Sequence, residues 1–132
     1  MQIIISVLTL IISQSLAQVH PWEPEGKDDP VWLLMHQTLV NQTARHKADE
    51  RIIFVGDSLT QGWLLFGQYV WGKHYVPRNA YNYGISGDTT QNVIYRIQHQ
   101  EFDGSTPNVT VLMIGMINIL QIYLIENNYK LI

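Results

Sequence analysis

The chain has 132 residues, room for one ordinary domain. With 46% hydrophobic and 14% charged residues it reads as globular rather than disordered. A net charge of -3 gives no basic footprint for nucleic acid, and the lack of cysteine excludes disulfides, cysteine nucleophiles and thiolate metal sites.

Ile3 to Ile12 is almost wholly apolar, and no charged side chain occurs before Glu23. Ser15-Leu16-Ala17 then sets small residues where a cleavage site before Gln18 needs them. This is the layout of a secretory signal peptide over residues 1–17, although its only amino-terminal positive charge is the α-amino group. The alternative is a membrane anchor, but the stretch is shorter than the roughly 20 residues a span needs. The expectation is therefore a secreted, extracellular protein with no membrane span.

His20 to Asp29, rich in Pro, Glu, Gly and Asp, reads as an exposed lead-in. Asp29-Pro30 looks like a helix start, with Asp as N-cap and Pro in the first turn. Trp32, Met35 and Leu39 follow at helical spacing, which predicts a helix to about Ala44. Ile52-Ile53-Phe54-Val55 is a short β-branched run ending at Gly56, the pattern of a buried strand in a parallel sheet. A helix is predicted from Leu59 to about Trp71, with Trp63, Phe66 and Val70 on one face. Lys73 to Asn79 reads as a loop. Ala80 to Tyr83 is a weaker strand ending at Gly84. Asp88 or Thr89 caps a predicted helix through Gln100, with Val93, Ile94 and Ile97 inward. Val109 to Ile114 is a third buried strand ending at Gly115. This order predicts a doubly wound parallel α/β sheet. The tail, residues 116–132, is dominated by Ile, Leu, Asn and Tyr, and allows a rough amphipathic helix through Ile117, Leu120 and Leu124.

In parallel α/β sheets reactive groups collect at the carboxyl ends of strands. Three such ends here are polar or glycine-bearing: Gly56-Asp57-Ser58-Leu59-Thr60, Gly84-Ile85-Ser86-Gly87-Asp88-Thr89-Thr90 and Gly115-Met116-Ile117-Asn118. A serine on a tight strand-to-helix turn exposes its Oγ, and the following helix points its positive end at it. A glycine at the neighbouring strand end can offer an unobstructed N–H to the same oxygen. Taken by itself, Ser58 could equally cap the following helix, and Gly87-Asp88 could be only a turn and a cap.

The segment Ile53 to Gly62 resembles the first block of the GDSL/SGNH hydrolases, and Asn82 to Val93 resembles their second. Within that superfamily the wording is closest to platelet-activating factor acetylhydrolase catalytic subunits and their secreted relatives. The resemblance covers roughly Trp32 to Gly115. It implies a flavodoxin-like three-layer sandwich with strand order 2-1-3-4-5, of which three of five strands are visible. Residues 18–115 would then be the amino-terminal part of such a domain. It implies Ser58 as nucleophile, the N–H groups of Ser58 and Gly87 as oxyanion donors, Asp57 ordering the turn, and Gly56 and Gly84 as supporting glycines. The substrates would be small acyl esters, such as acetyl groups on lipid or carbohydrate, with no metal or organic cofactor. Family members pair as dimers, which raises homo- or heterodimer formation as an expectation.

The sequence departs from the family in two places. The third block should read Gly-x-Asn-Asp or Gly-x-Asn-Asn, whose first Asn supplies the third oxyanion donor; that position is Ile117, and Asn118, one residue late, is the candidate donor if the chain shifts locally. No Asp is followed three residues later by His, and all five histidines (His20, His36, His46, His74, His99) precede the third strand. Without a base, a serine hydroxyl is a poor nucleophile at neutral pH. The reading is therefore a truncated hydrolase with absent or very low activity, or a non-catalytic fragment or dimerisation partner of a full-length esterase. Two glycosylation sequons occur, at Asn41 within a predicted helix and at Asn108 at a loop-to-strand junction.

Overall fold

The computed structural model describes residues 20–127, so the stretch read as a signal peptide lies outside the described residues. Helix α1 (Pro30–His46) begins where the Asp29-Pro30 pair places it. Asp29 Oδ1 accepts the Trp32 N–H at 2.7 Å, and Pro30 occupies a position whose N–H would have had no helical partner. Trp32 and Leu39 lie buried on its inner face.

Strands β1 (Ile52–Gly56), β2 (Ala80–Gly84) and β3 (Val109–Met113) form a parallel sheet in the order β2-β1-β3. The register pairs Gly56 with Gly84 on one side and with Met113 on the other, so all three strands end at one level. The chain is thus an α/β protein whose sheet is consistent with a Rossmann- or flavodoxin-like sandwich. In such sheets ligands bind where successive connections leave the central strand in opposite directions, which here is the carboxyl end of β1.

Both faces of β1 are covered. Ile53 and Val55 pack with Trp32, Leu39, Tyr83, Ile85 and Val93. Phe54 faces the other way, onto Trp71 and Ala80, with Trp63 and Tyr75 beside them. The Phe54 and Trp71 rings meet edge-on at 5.1 Å.

The single helix expected from Leu59 to Trp71 is a broken segment instead. Helix α2 (Ser58–Gln61) tightens into a 3-10 turn at Gly62–Leu64, helix α3 (Gln68–Val70) follows, and a wide π turn covers Trp71–Tyr75. Gly67 marks the break: a Cβ there would sit 2.6 Å from the Trp63 ring, so the chain lies directly on that indole. The change of winding puts Trp71 and Tyr75 under Phe54. The predicted Phe66 and Val70 stay outside, Phe66 being 94% exposed.

Helix α4 (Thr90–Gln98) is capped by Thr89, whose N–H and hydroxyl both donate to Asn92 Oδ1, at 2.9 and 2.8 Å. Val93 is buried and Ile94 half-buried, but the predicted inward Ile97 is exposed, because Arg96 takes the inner position. The lead-in is tied down more firmly than expected. Thr90 Oγ1 donates to Pro21 O at 2.6 Å and Asn92 Nδ2 to Glu25 O at 2.8 Å.

β3 departs most from expectation. It was expected to be buried, yet every residue of it is exposed. β1 covers one edge, and among the described residues no strand pairs with the other. Between β3 and α4 an apolar groove of about 300 Å³ opens, lined by Ile53, Val55, Ile97, Phe102 and Leu112 among others. Helix α5 (Met116–Glu126) follows β3, with Ile117 and Leu124 half-buried and the predicted inner Leu120 exposed.

The sheet edge tolerates no side chain at Gly84, where a Cβ would lie 2.2 Å from Gln61 N. Gly84→Ala is expected to destabilise by about 2–3 kcal/mol in urea denaturation, because α2 must lift. Gly72→Ala, with open space around the new Cβ, should stay within about 1 kcal/mol of the parent. Equal effects at the two positions would refute the close-approach account.

Candidate active site

The site is built on two glycines. A Cβ at Gly56 would meet Met113 O and Thr60 Oγ1, each at 2.2 Å, and one at Gly84 would meet the Gln61 backbone. With glycine at both positions α2 lies directly across the ends of β1 and β2. Asn82 staples it there: its Nδ2 donates to Thr60 O at 2.7 Å while its Oδ1 accepts the Gly84 N–H at 2.9 Å.

Asp57, buried, is the N-cap of α2; its Oδ1 accepts the Leu59 N–H at 2.9 Å. Ser58 is therefore the first helical residue, and it is exposed. Among the described residues neither its hydroxyl nor its N–H has a hydrogen-bond partner. With α2 only four residues long, the macrodipole of a long helix is not available. Positive potential at Ser58 has to come from uncommitted N–H groups.

The second loop supplies one. Ile85 N donates to Gly56 O at 3.1 Å, and Ser86 N to Gln61 Oε1 at 3.1 Å. Asp88 N closes a turn onto Ile85 O at 3.2 Å. Gly87 sits at φ +76°, the left-handed region that favours glycine, and its carbonyl accepts from Lys27 Nζ at 2.7 Å. The Gly87 N–H has no partner among the described residues. Two strand ends thus present one exposed hydroxyl and two uncommitted amides. A groove of about 450 Å³ opens against the second loop, lined by Lys27, Trp32, Met35, Gln61, Ile85 and Ser86 among others; Ser58 and Gly87 do not line it.

A buried polar cluster backs this loop. Asp88 accepts from Trp32 Nε1 at 2.6 Å and lies 3.5 Å from Lys27 Nζ. Arg96 Nε is 3.2 Å from Asp88 Oδ2, and Arg96 Nη1 is 3.2 Å from Glu101 Oε1. These contacts lie outside hydrogen-bond angles, so the attraction is chiefly coulombic. His36 Nδ1 lies 2.9 Å from Glu101 Oε2. Burial pushes both carboxyls, Asp88 and Glu101, above the usual carboxylate range. Arg96 pulls both back, helped by Trp32 at Asp88 and by His36 at Glu101. Burial, reinforced by a hydrogen bond to Glu50, likewise raises the Tyr83 hydroxyl.

All five histidines lie within the described residues, and none is hydrogen-bonded to Ser58. His20 stacks on Trp22, His36 is held by Glu101, His46 stacks on Tyr81, and His99 Nδ1 contacts Tyr95 O. The carbonyl of His74, which follows α3, accepts from Arg78. Asn118 is turned to the start of α4: its Oδ1 accepts the Thr90 N–H at 3.0 Å and its Nδ2 donates to Gln91 Oε1 at 2.7 Å. Asn41 and Asn108 are both exposed. Among the described residues no group of three or more His, Asp or Glu side chains is placed to hold a metal ion. None of the described helices is long and apolar enough to cross a membrane.

Sequence reasoning missed Lys27, Gln61, Asn82, Arg96 and Glu101. Two of them left a signal. Asn82 is a poor strand former inside a strand run, and Arg96, three residues after Val93, puts a cation on the apolar stripe of α4.

The fold defines an α/β chain with a parallel sheet that exposes a serine at the end of its central strand. The chain is similar to platelet-activating factor acetylhydrolase IB subunit alpha2 of Homo sapiens, 35% identical over 91 residues, covering 68% of this chain and 38% of that protein. Against subunit alpha1 of Rattus norvegicus it is 32% identical over 103 residues, covering 72% of this chain and 43% of the relative. These similarities relate the chain to the acetylhydrolase IB alpha subunits, of whose length the match spans about two-fifths. No protein-family model matches the chain.

Burial raises the Glu101 pKa, so the folded chain keeps that proton at pH values where the unfolded chain has released it. Stability linked to Glu101 is therefore full below the unfolded pKa and is lost as pH rises through the folded one. Relative to Glu101→Gln, the parent should lose stability as pH rises through that interval in denaturant titrations. A difference that does not change with pH would contradict the burial argument.

Proposed function

We propose that this chain carries the nucleophile and oxyanion half of an SGNH-type ester-hydrolase site acting on acetyl or other short acyl esters. The observation that carries the reading is the exposed Ser58 hydroxyl at the end of the central strand, with the N–H groups of Ser58 and Gly87 unpartnered among the described residues at the ends of the paired strands β1 and β2. The similarity to proteins named acetylhydrolase subunits points to the same chemistry. In the reaction, Ser58 Oγ adds to the ester carbonyl and its proton leaves to a base. The two amides hold the developing oxyanion, the alcohol departs, and water then frees the acyl group. None of the chain's histidines is hydrogen-bonded to Ser58; with solvent as the base, turnover should be slow.

The test is release of a chromogenic acetate ester by purified protein, with Ser58→Ala beside it. A weak rate that falls to the solvent background in Ser58→Ala is expected. An unchanged rate in that variant ends the reading, and an enzyme-like rate refutes the expectation of slow turnover.

A second reading, association with another chain, is favoured by the bare edge and exposed apolar side chains of β3. It predicts a sedimentation mass that rises with concentration and returns to the monomer value in Val111→Lys. A monomer at all concentrations would exclude self-pairing.

A further inference from the structure

We propose that Lys27 is a positioning residue for the oxyanion site, holding the Gly87 carbonyl so that the uncommitted Gly87 N–H keeps a fixed direction. The inference rests on the reading of Ser58 and Gly87 given above.

The loop after β2 is held peptide by peptide. The Ser86 N–H is fixed by the Gln61 side chain at 3.1 Å. The peptide between Gly87 and Asp88 is fixed at both atoms: its oxygen by Lys27 Nζ at 2.7 Å, its nitrogen by Ile85 O at 3.2 Å. The peptide between Ser86 and Gly87 carries the free N–H, and its orientation is set by these neighbours. Gly87 is the weak point of such a frame, since glycine has more backbone freedom than any other residue. A cation on its carbonyl opposes that freedom where it matters.

Lys27 is not simply a counter-ion for Asp88. It lies closer to the Gly87 carbonyl, at 2.7 Å, than to the Asp88 carboxylate, at 3.5 Å. Asp88 already has Trp32 Nε1 at 2.6 Å and Arg96 at 3.2 Å. The Lys27 side chain is 29% exposed, so its removal opens no sealed cavity. It reaches the loop because the lead-in is bound to α4 through Glu25 and Asn92. Lys27 also lines the groove that opens against the second loop.

The experiment is covalent labelling of the full chain with a fluorophosphonate, followed by intact mass. Labelling joins Ser58 Oγ to phosphorus, expels fluoride and releases the hydroxyl proton to solvent, and its phosphoryl oxygen would use the same amides without requiring turnover. Misplacing a catalytic group by about 1 Å can lower a rate roughly 100-fold, so Lys27→Met should slow labelling by about 10- to 100-fold. Lys27→Arg, which keeps a charged donor, should recover most of the rate, and all three proteins should melt at similar temperatures. A purely structural role would instead lower the melting temperature and leave the labelling rate of the folded protein unchanged. If Lys27→Met fails to fold, Lys27→Gln, with a donor but no charge, carries the same comparison. Parent and Lys27→Met labelling equally fast at Ser58 overturns the inference and leaves the Ser58 reading standing. No labelling of Ser58 in the parent overturns both.

Discussion

A single buried guanidinium organises the better-built half of this molecule. Arg96 is fully buried; its Nη2 donates to Tyr83 O at 3.0 Å, near the end of β2, while its other nitrogens face Asp88 and Glu101. Through Glu101 it reaches His36 on α1, and through Asp88 it reaches Trp32 and the loop of Gly87. Removing one partner of a buried ion pair typically costs about 3–5 kcal/mol, because the other charge is left alone in a poor solvent. Folded domains have only about 5–15 kcal/mol in total. Replacing a whole buried charge cluster by apolar groups is often neutral, so the cluster is a weak source of net stability. What it secures is position. Tyr83 by a hydrogen bond, and Asp88 and Glu101 by charge, converge on Arg96, and Asp88 carries that anchorage to the loop of Gly87.

The other half of the chain has no such hub. β3 is hydrogen-bonded to β1, but every one of its residues is exposed, and α4 leaves an open apolar groove beside it. The consequence for the site is direct. Its two uncommitted amides come from the ends of β1 and β2, where Asn82, Gln61 and Lys27 fix the backbone. The third strand end contributes differently. Gly115 turns the chain at φ +108°, and Asn118 spends its amide on Thr90 and Gln91. That contact joins α5 to α4 and caps an otherwise free N–H of the helix. Both atoms of the Asn118 amide are thus committed to holding the tail helix in place.

Much of this was legible in the sequence because it depends on local rules. Asp29-Pro30 fixes a helix start by capping chemistry, and Ile52 to Val55 fixes a central strand by its β-branched run. The glycines that end β1 and β2 mark where α2 crosses the sheet. What escaped depends on contacts between distant segments. Periodicity could not foresee that the chain after Ser58 would change winding three times so that Trp71, not Val70, packs under Phe54. It also made β3 look like a buried strand. A strand's apolar run encodes a requirement for cover, not the presence of it. The links of Lys27 to Gly87 and of Arg96 to Glu101 and Asp88 depend on tertiary placement, and only the odd cation on an apolar stripe hinted at one of them.

The division of the site into amides and base has a kinetic meaning. In serine hydrolases of unrelated folds, loss of a catalytic-triad member leaves roughly 10³–10⁴-fold catalysis over water, supplied by the oxyanion hole and binding. One oxyanion donor contributes on the order of 3–4 kcal/mol to the transition state. If Ser58 acts as proposed, a site with two held amides and no hydrogen-bonded histidine would fall in that residual range, far below a complete enzyme. Its rate would also be a cleaner measure of the backbone geometry than that of a full triad. On the proposed reading, with proton transfer left to solvent, the part of the rate that the protein controls would come from where the Ser58 and Gly87 N–H groups point. Those directions are set by Asp57 capping α2, by Asn82 and Gln61 joining it to the second loop, and by the cations that hold the far side of that loop. On that reading, the chemistry of the site is limited by how still the fold keeps two peptide planes.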